Sequence, residues 1–354
     1  MAERQITYGE AIREAIDQSM QQSPEVFIIG EGVPDSNRIF GTTKGLLEKY
    51  GAQRVQDMPV SENAMTGICI GAAIQGLRPI LVHQRVDFSL LALDQVINNA
   101  AKWHYMFGGE AKVPIVIRMI IGMGWGQGAQ HSQSLQALYS HIPGLKVVMP
   151  STPYDAKGLM MAAVQDNNPV IYLEHRWLHN IKGYVPEEPY SVPIGEANVL
   201  LPGKDITLAA TSYMNVEAMK AAHLLKKIGI SVEIVDLRTL KPLDDKTIID
   251  SVRKTGRLIA IDSGYYSGGF AGEIIARVSE KAFKNLQASP ARITLPDIPT
   301  PSTQGLTRYY YPTFREIARK IMQMLKRKDE DLTIPEEKSE VPCDVPDKDF
   351  TGPF

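Results

Sequence analysis

Cysteine is scarce: Cys69 and Cys343 are the only two in 354 residues, far apart and outside any CxxC spacing. That excludes a disulfide framework and a zinc ribbon, and points to a reduced compartment. Long apolar runs are missing; none approaches the roughly 18 residues of a membrane span. A basic excess is missing too. With 38 Lys and Arg against 40 Asp and Glu, the net charge is −2, which gives no electrostatic footprint for nucleic acid. The stretch from Met1 to Tyr8 has neither the apolar core of a signal peptide nor the basic character of a transit peptide, so the expected location is the cytoplasm. No serine sits in a G-x-S-x-G elbow, no G-x-x-x-x-G-K-[ST] loop occurs, and neither cysteine has a nucleophile's setting. The sequence shows no complete catalytic machine of its own.

What is present is ordinary for a globular protein: 44% hydrophobic and 22% charged residues. At roughly 150 residues per domain, the length suggests two. Apolar residues Ala11, Ile12, Ala15 and Ile16 at helical spacing predict a first helix over 7–19. Short apolar strands follow at 26–29, 79–82, 113–121, 145–149 and 169–173, with helices over 94–105 and 155–163 and a buried helix after Glu62. This alternation predicts a parallel sheet in an α/β layer fold. Pro186, Pro189, Pro193 and Pro202 then punctuate a stretch without periodicity, and the α/β alternation restarts at 206–210. The expected organisation is therefore two parallel-sheet α/β domains, 1–185 and 203–326, joined by a linker over 186–202 and followed by an extended, charged tail over 327–354.

Glu62 directly precedes the small and apolar run. Ser61 can cap that helix, and an acid in its first turn suits the positive end of the helix dipole. The local pattern favours that helix-start role, although a carboxylate against closely packed apolar backbone is also a place for a proton-handling group. Gly124, Gly126 and Ala129 satisfy the G-x-G-x-x-A form of a dinucleotide fingerprint. The context fails, because the next strand ends in Met149 and Pro150 instead of a ribose-binding acid. His131 lies just past that loop, where parallel sheets place their ligands, although a hydrogen-bonded structural histidine fits as well. His141 reads as structural. His175 and His179 are four apart but lack the H-E-x-x-H arrangement, which argues against zinc.

Taken together, segments 27–31, 59–62, 71–79, 94–98, 129–133, 143–148, 155–159, 166–169 and 236–243 match in order the beta subunit of the thiamine-diphosphate-dependent decarboxylating component of 2-oxo acid dehydrogenase complexes. The resemblance, to the group containing pyruvate, branched-chain 2-oxo acid and acetoin dehydrogenases, covers about 5–325. It implies a transketolase-like pyrimidine-binding domain followed by a transketolase C-terminal-like domain. It implies that Glu62 hydrogen-bonds N1′ of the cofactor's aminopyrimidine, favouring the 4′-imino tautomer that can take the thiazolium C2 proton. Phe88 matches an aromatic packed on the pyrimidine, and Glu31 an acid near the cofactor. His131 matches a channel histidine that assists proton transfer or acyl transfer to a lipoyl arm. Asp166 and Asn168, with backbone groups of Ile115, Ala163 and Val164, match a potassium site.

The family's diphosphate and magnesium are held by Gly-Asp-Gly followed by Asn-Asn, and this sequence has no Gly-Asp-Gly. The resemblance therefore implies an alpha subunit that supplies this half of the site in an alpha2beta2 heterotetramer, with a lipoyl-bearing acyltransferase as further partner. Segment 83–89, with Arg85 and Asp87, is more charged than in the pyruvate enzymes. That leaves the donor substrate open and admits a split transketolase-like enzyme or a non-catalytic assembly subunit as alternatives.

Overall fold

The computed structural model describes residues 4–35, 39–123 and 126–328. The first half runs β1 (Gln5–Thr7), α1 (Tyr8–Gln22), β2 (Val26–Gly30), α2 (Leu46–Tyr50), β3 (Val55–Gln56), α3 (Glu62–Ile74) and β4 (Arg78–His83). A 3-10 turn (Phe88–Ala92) and a wide helical turn (Gln95–Ala100) lead into α4 (Ala101–Met106). After β5 (Val116–Ile121) come α5 (Gln136–His141), β6 (Lys146–Val148), α6 (Pro153–Gln165), β7 (Val170–His175) and β8 (Lys182–Tyr184). The second half holds β9 (Asn198–Leu201), β10 (Ile206–Ala210), α7 (Met214–Lys226), β11 (Val232–Asp236), β12 (Thr239–Lys241), α8 (Asp245–Thr255) and β13 (Leu258–Tyr265). It closes with α9 (Phe270–Ala282), β14 (Ala291–Leu295), α10 (Gln304–Thr307) and α11 (Phe314–Met324).

Among the described residues, seven strands form one sheet in the order β12-β6-β7-β5-β4-β2-β3, and five form another in the order β14-β13-β10-β11-β9. Both are parallel apart from one antiparallel edge strand each, β12 on β6 and β9 on β11. The central strands β4, β5, β7 and β10 are buried along almost their whole length because helices cover both faces, which is why they read as continuous apolar runs. Helix α1 starts at a capping box in which Thr7 and Glu10 satisfy each other's backbone N–H groups, and it buries Ala11, Ile12, Ala15 and Ile16 as its spacing predicts.

Three features depart from the sequence reading. The stretch 186–202, read as linker, contains β9, which pairs with β11 at the edge of the second sheet. Residues 239–241 cross back to edge the first sheet, so the halves interlock through β12. Helix α3 is not buried all round: Asn63, Ala64, Ile68 and Gly71 face outward, and Ile68 is 60% exposed. Among the described residues, no helix is long and apolar enough to cross a membrane.

Candidate active site

The topology collects the candidate residues at one end of the first sheet. Glu31 follows β2, Phe88 lies in the turn after β4, and His131 lies beyond β5, so three neighbouring strands each deliver one group at their carboxyl ends. Glu62 opens α3, the helix that leads into β4. Glycine makes two of these exits possible. A Cβ on Gly30 would lie 2.5 Å from the Val82 carbonyl oxygen, and one on Gly122, which has φ +84°, would meet the His175 ring at 2.5 Å.

Glu62 is 6% exposed in the first turn of α3. Ser61 stands at the cap position, yet its side chain makes no capping bond. With φ −154° and ψ 65°, its backbone lies outside the extended region from which a serine hydroxyl reaches the first turn. The expected cap is therefore corrected: Ser61 contributes only its carbonyl, which accepts from the Met65 N–H at 3.0 Å.

The group with displaced acidity is Glu31. Burial pushes its carboxyl up, and the neighbouring charges of Glu62 and Asp57 push it further. One of its carboxylate oxygens is buried with no hydrogen-bond partner. Its carbonyl accepts from Gln84 Nε2 at 2.7 Å, while Asp57 accepts from the N–H groups of Gly32 at 3.0 Å and Met58 at 2.9 Å. The Glu31 carboxyl therefore lies under the influence of two neighbouring acids, an arrangement that a proton or a protonated ring nitrogen would relieve.

Opposite in character are Phe88 and His131, whose rings meet edge-on with centroids 5.3 Å apart. His131 sits on an exposed 3-10 turn (Ala129–His131) closed by its own N–H on the Gly128 carbonyl at 3.1 Å. Gly124 of the G-x-G-x-x-A match lies outside the described residues. His175 and His179 are buried, and burial above all drives their pKa values down to about 3 and 4. His175 accepts from the Trp177 N–H at 3.2 Å, and His179 lies 3.7 Å from Glu174. Among the described residues, no group of three or more His, Cys, Asp or Glu converges to hold a metal ion.

The five groups matched to a potassium site lie around the turn from α6 into β7. Asp166 accepts from the Asn168 N–H at 2.9 Å and pairs with Lys146. The carbonyls of Val164 and Asp166 each accept from Arg78 Nη1, at 2.8 and 3.0 Å. The Ile115 carbonyl accepts from the Val170 N–H at 3.0 Å, and that of Ala163 from the Asp166 N–H at 3.3 Å. Each carbonyl retains a second lone pair, the hard oxygen donor that the potassium reading requires, while Arg78 and Lys146 already bring positive charge to Val164 and Asp166. Lys146 already meets the one carboxylate's charge, which argues against a divalent ion.

Sequence reasoning singled out Arg85 and Asp87 as charged but missed what they hold together. Asp87 accepts from Gln133 Nε2 at 2.8 Å and from the Gln133 N–H at 3.4 Å. Arg85 and Arg176, both buried, flank the Phe40 ring at 6.0 and 4.3 Å. Their charge was visible in the sequence; their partners, far away along the chain, were not. Cavities of about 720 and 590 Å³ lie elsewhere, the first lined by Lys241, Phe270 and Arg277, the second by Asp155, Asn215 and Arg238. None of Glu31, Glu62, Phe88 and His131 lines either one.

A parallel α/β domain with acids at its strand ends, interlocked with a smaller α/β domain, defines a two-domain α/β protein whose candidate site lies at the carboxyl end of the larger sheet. The chain matches the pyrimidine-binding domain of transketolase over residues 4–181 and the transketolase C-terminal domain over 195–317. It belongs to the transketolase-like family, among the beta subunits of 2-oxo acid dehydrogenases. It is 44% identical to the acetoin:2,6-dichlorophenolindophenol oxidoreductase subunit beta of Cupriavidus necator, over 91% of this chain and 98% of that one. It is 42% identical to the mitochondrial pyruvate dehydrogenase E1 component subunit beta-2 of Oryza sativa subsp. japonica, over 90% and 86%. A solved split-gene transketolase, an inactive beta4 tetramer, shares the fold with a TM-score of 0.74 at 24% identity, covering 91% of this chain and 99% of that one.

Proposed function

We propose that this chain is the beta half of a thiamine-diphosphate-dependent 2-oxo acid dehydrogenase that decarboxylates an acid such as pyruvate and passes the acyl unit to a lipoyl carrier. The observation that carries the reading is buried Glu62 at the start of α3, whose charge adds to burial in raising the proton affinity of Glu31 at the end of β2, where one carboxylate oxygen lacks a partner. That pair fits an aminopyrimidine, whose ring nitrogen can be protonated and would relieve the repulsion among the carboxylates.

When bound, the cofactor supplies an electron sink for the bond to carbon dioxide. The chain's own residues do the rest. Glu62 holds a proton at the pyrimidine ring nitrogen, with Glu31 raising the local proton affinity. Phe88 packs the ring and excludes water from it. His131, exposed beside Phe88, moves a proton at the substrate or carrier.

Helix α3 turns a face of Ala64, Ile68 and Gly71 outward, on the helix that begins with Glu62. Small residues on such a face let another helix approach closely. This supports an alpha subunit docked there in an alpha2beta2 assembly, bringing the Gly-Asp-Gly and Asn-Asn groups for diphosphate and magnesium. The alkali-cation loop at Asp166 and Asn168 braces the same domain from the far side. A cytoplasmic location and a lipoyl-bearing acyltransferase complete the reading.

The experiment is co-expression with the alpha-type partner and measurement of artificial-oxidant reduction. Turnover is expected with a 2-oxo acid and not with a ketose phosphate, and Glu62→Gln should lower it by about 100-fold or more. Turnover with the ketose phosphate alone, or an undiminished Glu62→Gln complex, overturns the reading.

A further inference from the structure

His131 needs an anchor that its own turn does not supply. The turn spans only Ala129–His131, it is exposed, and one backbone hydrogen bond closes it. Two residues further on, Gln133 is clamped by a carboxylate: Asp87 Oδ1 accepts both its side-chain Nε2 at 2.8 Å and its backbone N–H at 3.4 Å. Asp87 immediately precedes Phe88, whose ring meets His131 edge-on. The segment bearing Asp87 is itself fixed to β5, through the Val86 N–H on the Ile120 carbonyl at 2.9 Å.

We infer that Asp87 is the positioning residue for His131: through Gln133 it locks the histidine turn to the Phe88 segment, so that ring and imidazole hold one geometry. This rests on the proposed role of His131. The argument is one of chemistry and placement. A charge-assisted pair of hydrogen bonds is about twice as strong as neutral ones, and it ties together the two segments that face each other across the site. A buried carboxylate at this point is costly, because burial raises its proton affinity and leaves Oδ2 without a partner. The cost makes sense for a group that orients a reacting side chain, since misplacement by about 1 Å costs up to a hundredfold in rate. Asp87 touches neither cofactor nor substrate in this account and is not catalytic itself.

The test uses the assembled complex with thiamine diphosphate and magnesium. Asp87→Ala is expected to lower kcat about tenfold while KM for the 2-oxo acid and the half-saturating cofactor concentration stay within about twofold. Asp87→Asn, which keeps a neutral acceptor for both Gln133 donors, should restore part of kcat. Gln133→Ala should reproduce the loss, and the double variant should be no worse than either single one. Unchanged kcat in Asp87→Ala and Gln133→Ala overturns the inference. So does a kcat loss matched by equal losses in cofactor affinity and melting temperature, or a failure of Asp87→Asn to rescue. His131→Ala separates the two layers: if it keeps full turnover, the role of His131 fails, whereas an inactive His131→Ala beside a fully active Asp87→Ala defeats only the positioning role.

Discussion

The buried ion pair between Arg118 on β5 and Glu174 on β7 allows a quantitative test of how the sheet beneath the site is held. Both side chains are 0% exposed, and Nη2 of Arg118 donates to Glu174 Oε1 at 2.6 Å and to Thr42 Oγ1 at 2.6 Å. At an effective dielectric constant of about 20, the Coulomb attraction at this separation is about 6 kcal/mol. Desolvating two ions costs several kcal/mol each, so the pair as a whole is close to neutral against an apolar pair of similar volume. Removing one partner is different, because it strands a charge. Glu174→Gln should therefore lose about 3–5 kcal/mol in urea unfolding of the purified protein, and Arg118→Met a comparable amount. The double variant Arg118→Met with Glu174→Gln should lose clearly less than the sum of the two single losses, giving a coupling energy of at least about 2 kcal/mol. Unfolding midpoints followed by fluorescence and circular dichroism read this directly. Simple additivity of the two single losses, or a loss below about 1 kcal/mol in Glu174→Gln, would refute the reasoning.

A buried histidine and the Asp166 loop give two further predictions. His83 is buried with both ring nitrogens unpartnered, and burial pushes its pKa from 6.5 down to about 4. The unfolded chain then binds a proton that the folded chain refuses, so stability falls as pH drops from about 6.5 toward 4. Between pH 7 and 5 this histidine should account for about 2 kcal/mol, and Asn or Gln in its place should flatten the measured slope by that amount; an unaltered slope contradicts the assignment. At the Asp166 loop, replacing potassium by tetramethylammonium at equal ionic strength should lower the melting temperature by a few degrees, as loss of a ligand bound to the folded state requires. Identical melting curves would remove the cation from the site.

The alternation of short apolar strands with amphipathic helices was enough to give two parallel-sheet domains, because strands covered on both faces must be apolar throughout. The antiparallel edges escaped notice for the opposite reason. Strands β9 and β12 are short and one-sided, and what makes them strands is pairing with β11 and β6, partners supplied by the fold. Helix α3 misled in a related way: a run of small and apolar residues signals close packing but does not say whether the packing partner is this chain or another.

The candidate site divides along the same line. Glu62 and His131 could be picked out from residue type and local setting, since a strand end or a helix start has a recognisable sequence, whereas Phe88 and Glu31 came only from the family resemblance. The sequence also limited what the chain could be, through its scarce cysteine, its missing phosphate-loop motifs and its balanced charge. Only the tertiary structure decided that Glu31 carries the displaced acidity, that Ser61 is no cap, and that Asp87 reaches Gln133 across 46 positions. Proton affinity and anchoring depend on burial and on the nearest charges in space. For residues drawn from the ends of β2, β4 and β5, those neighbours are set by strand order, which local sequence does not encode.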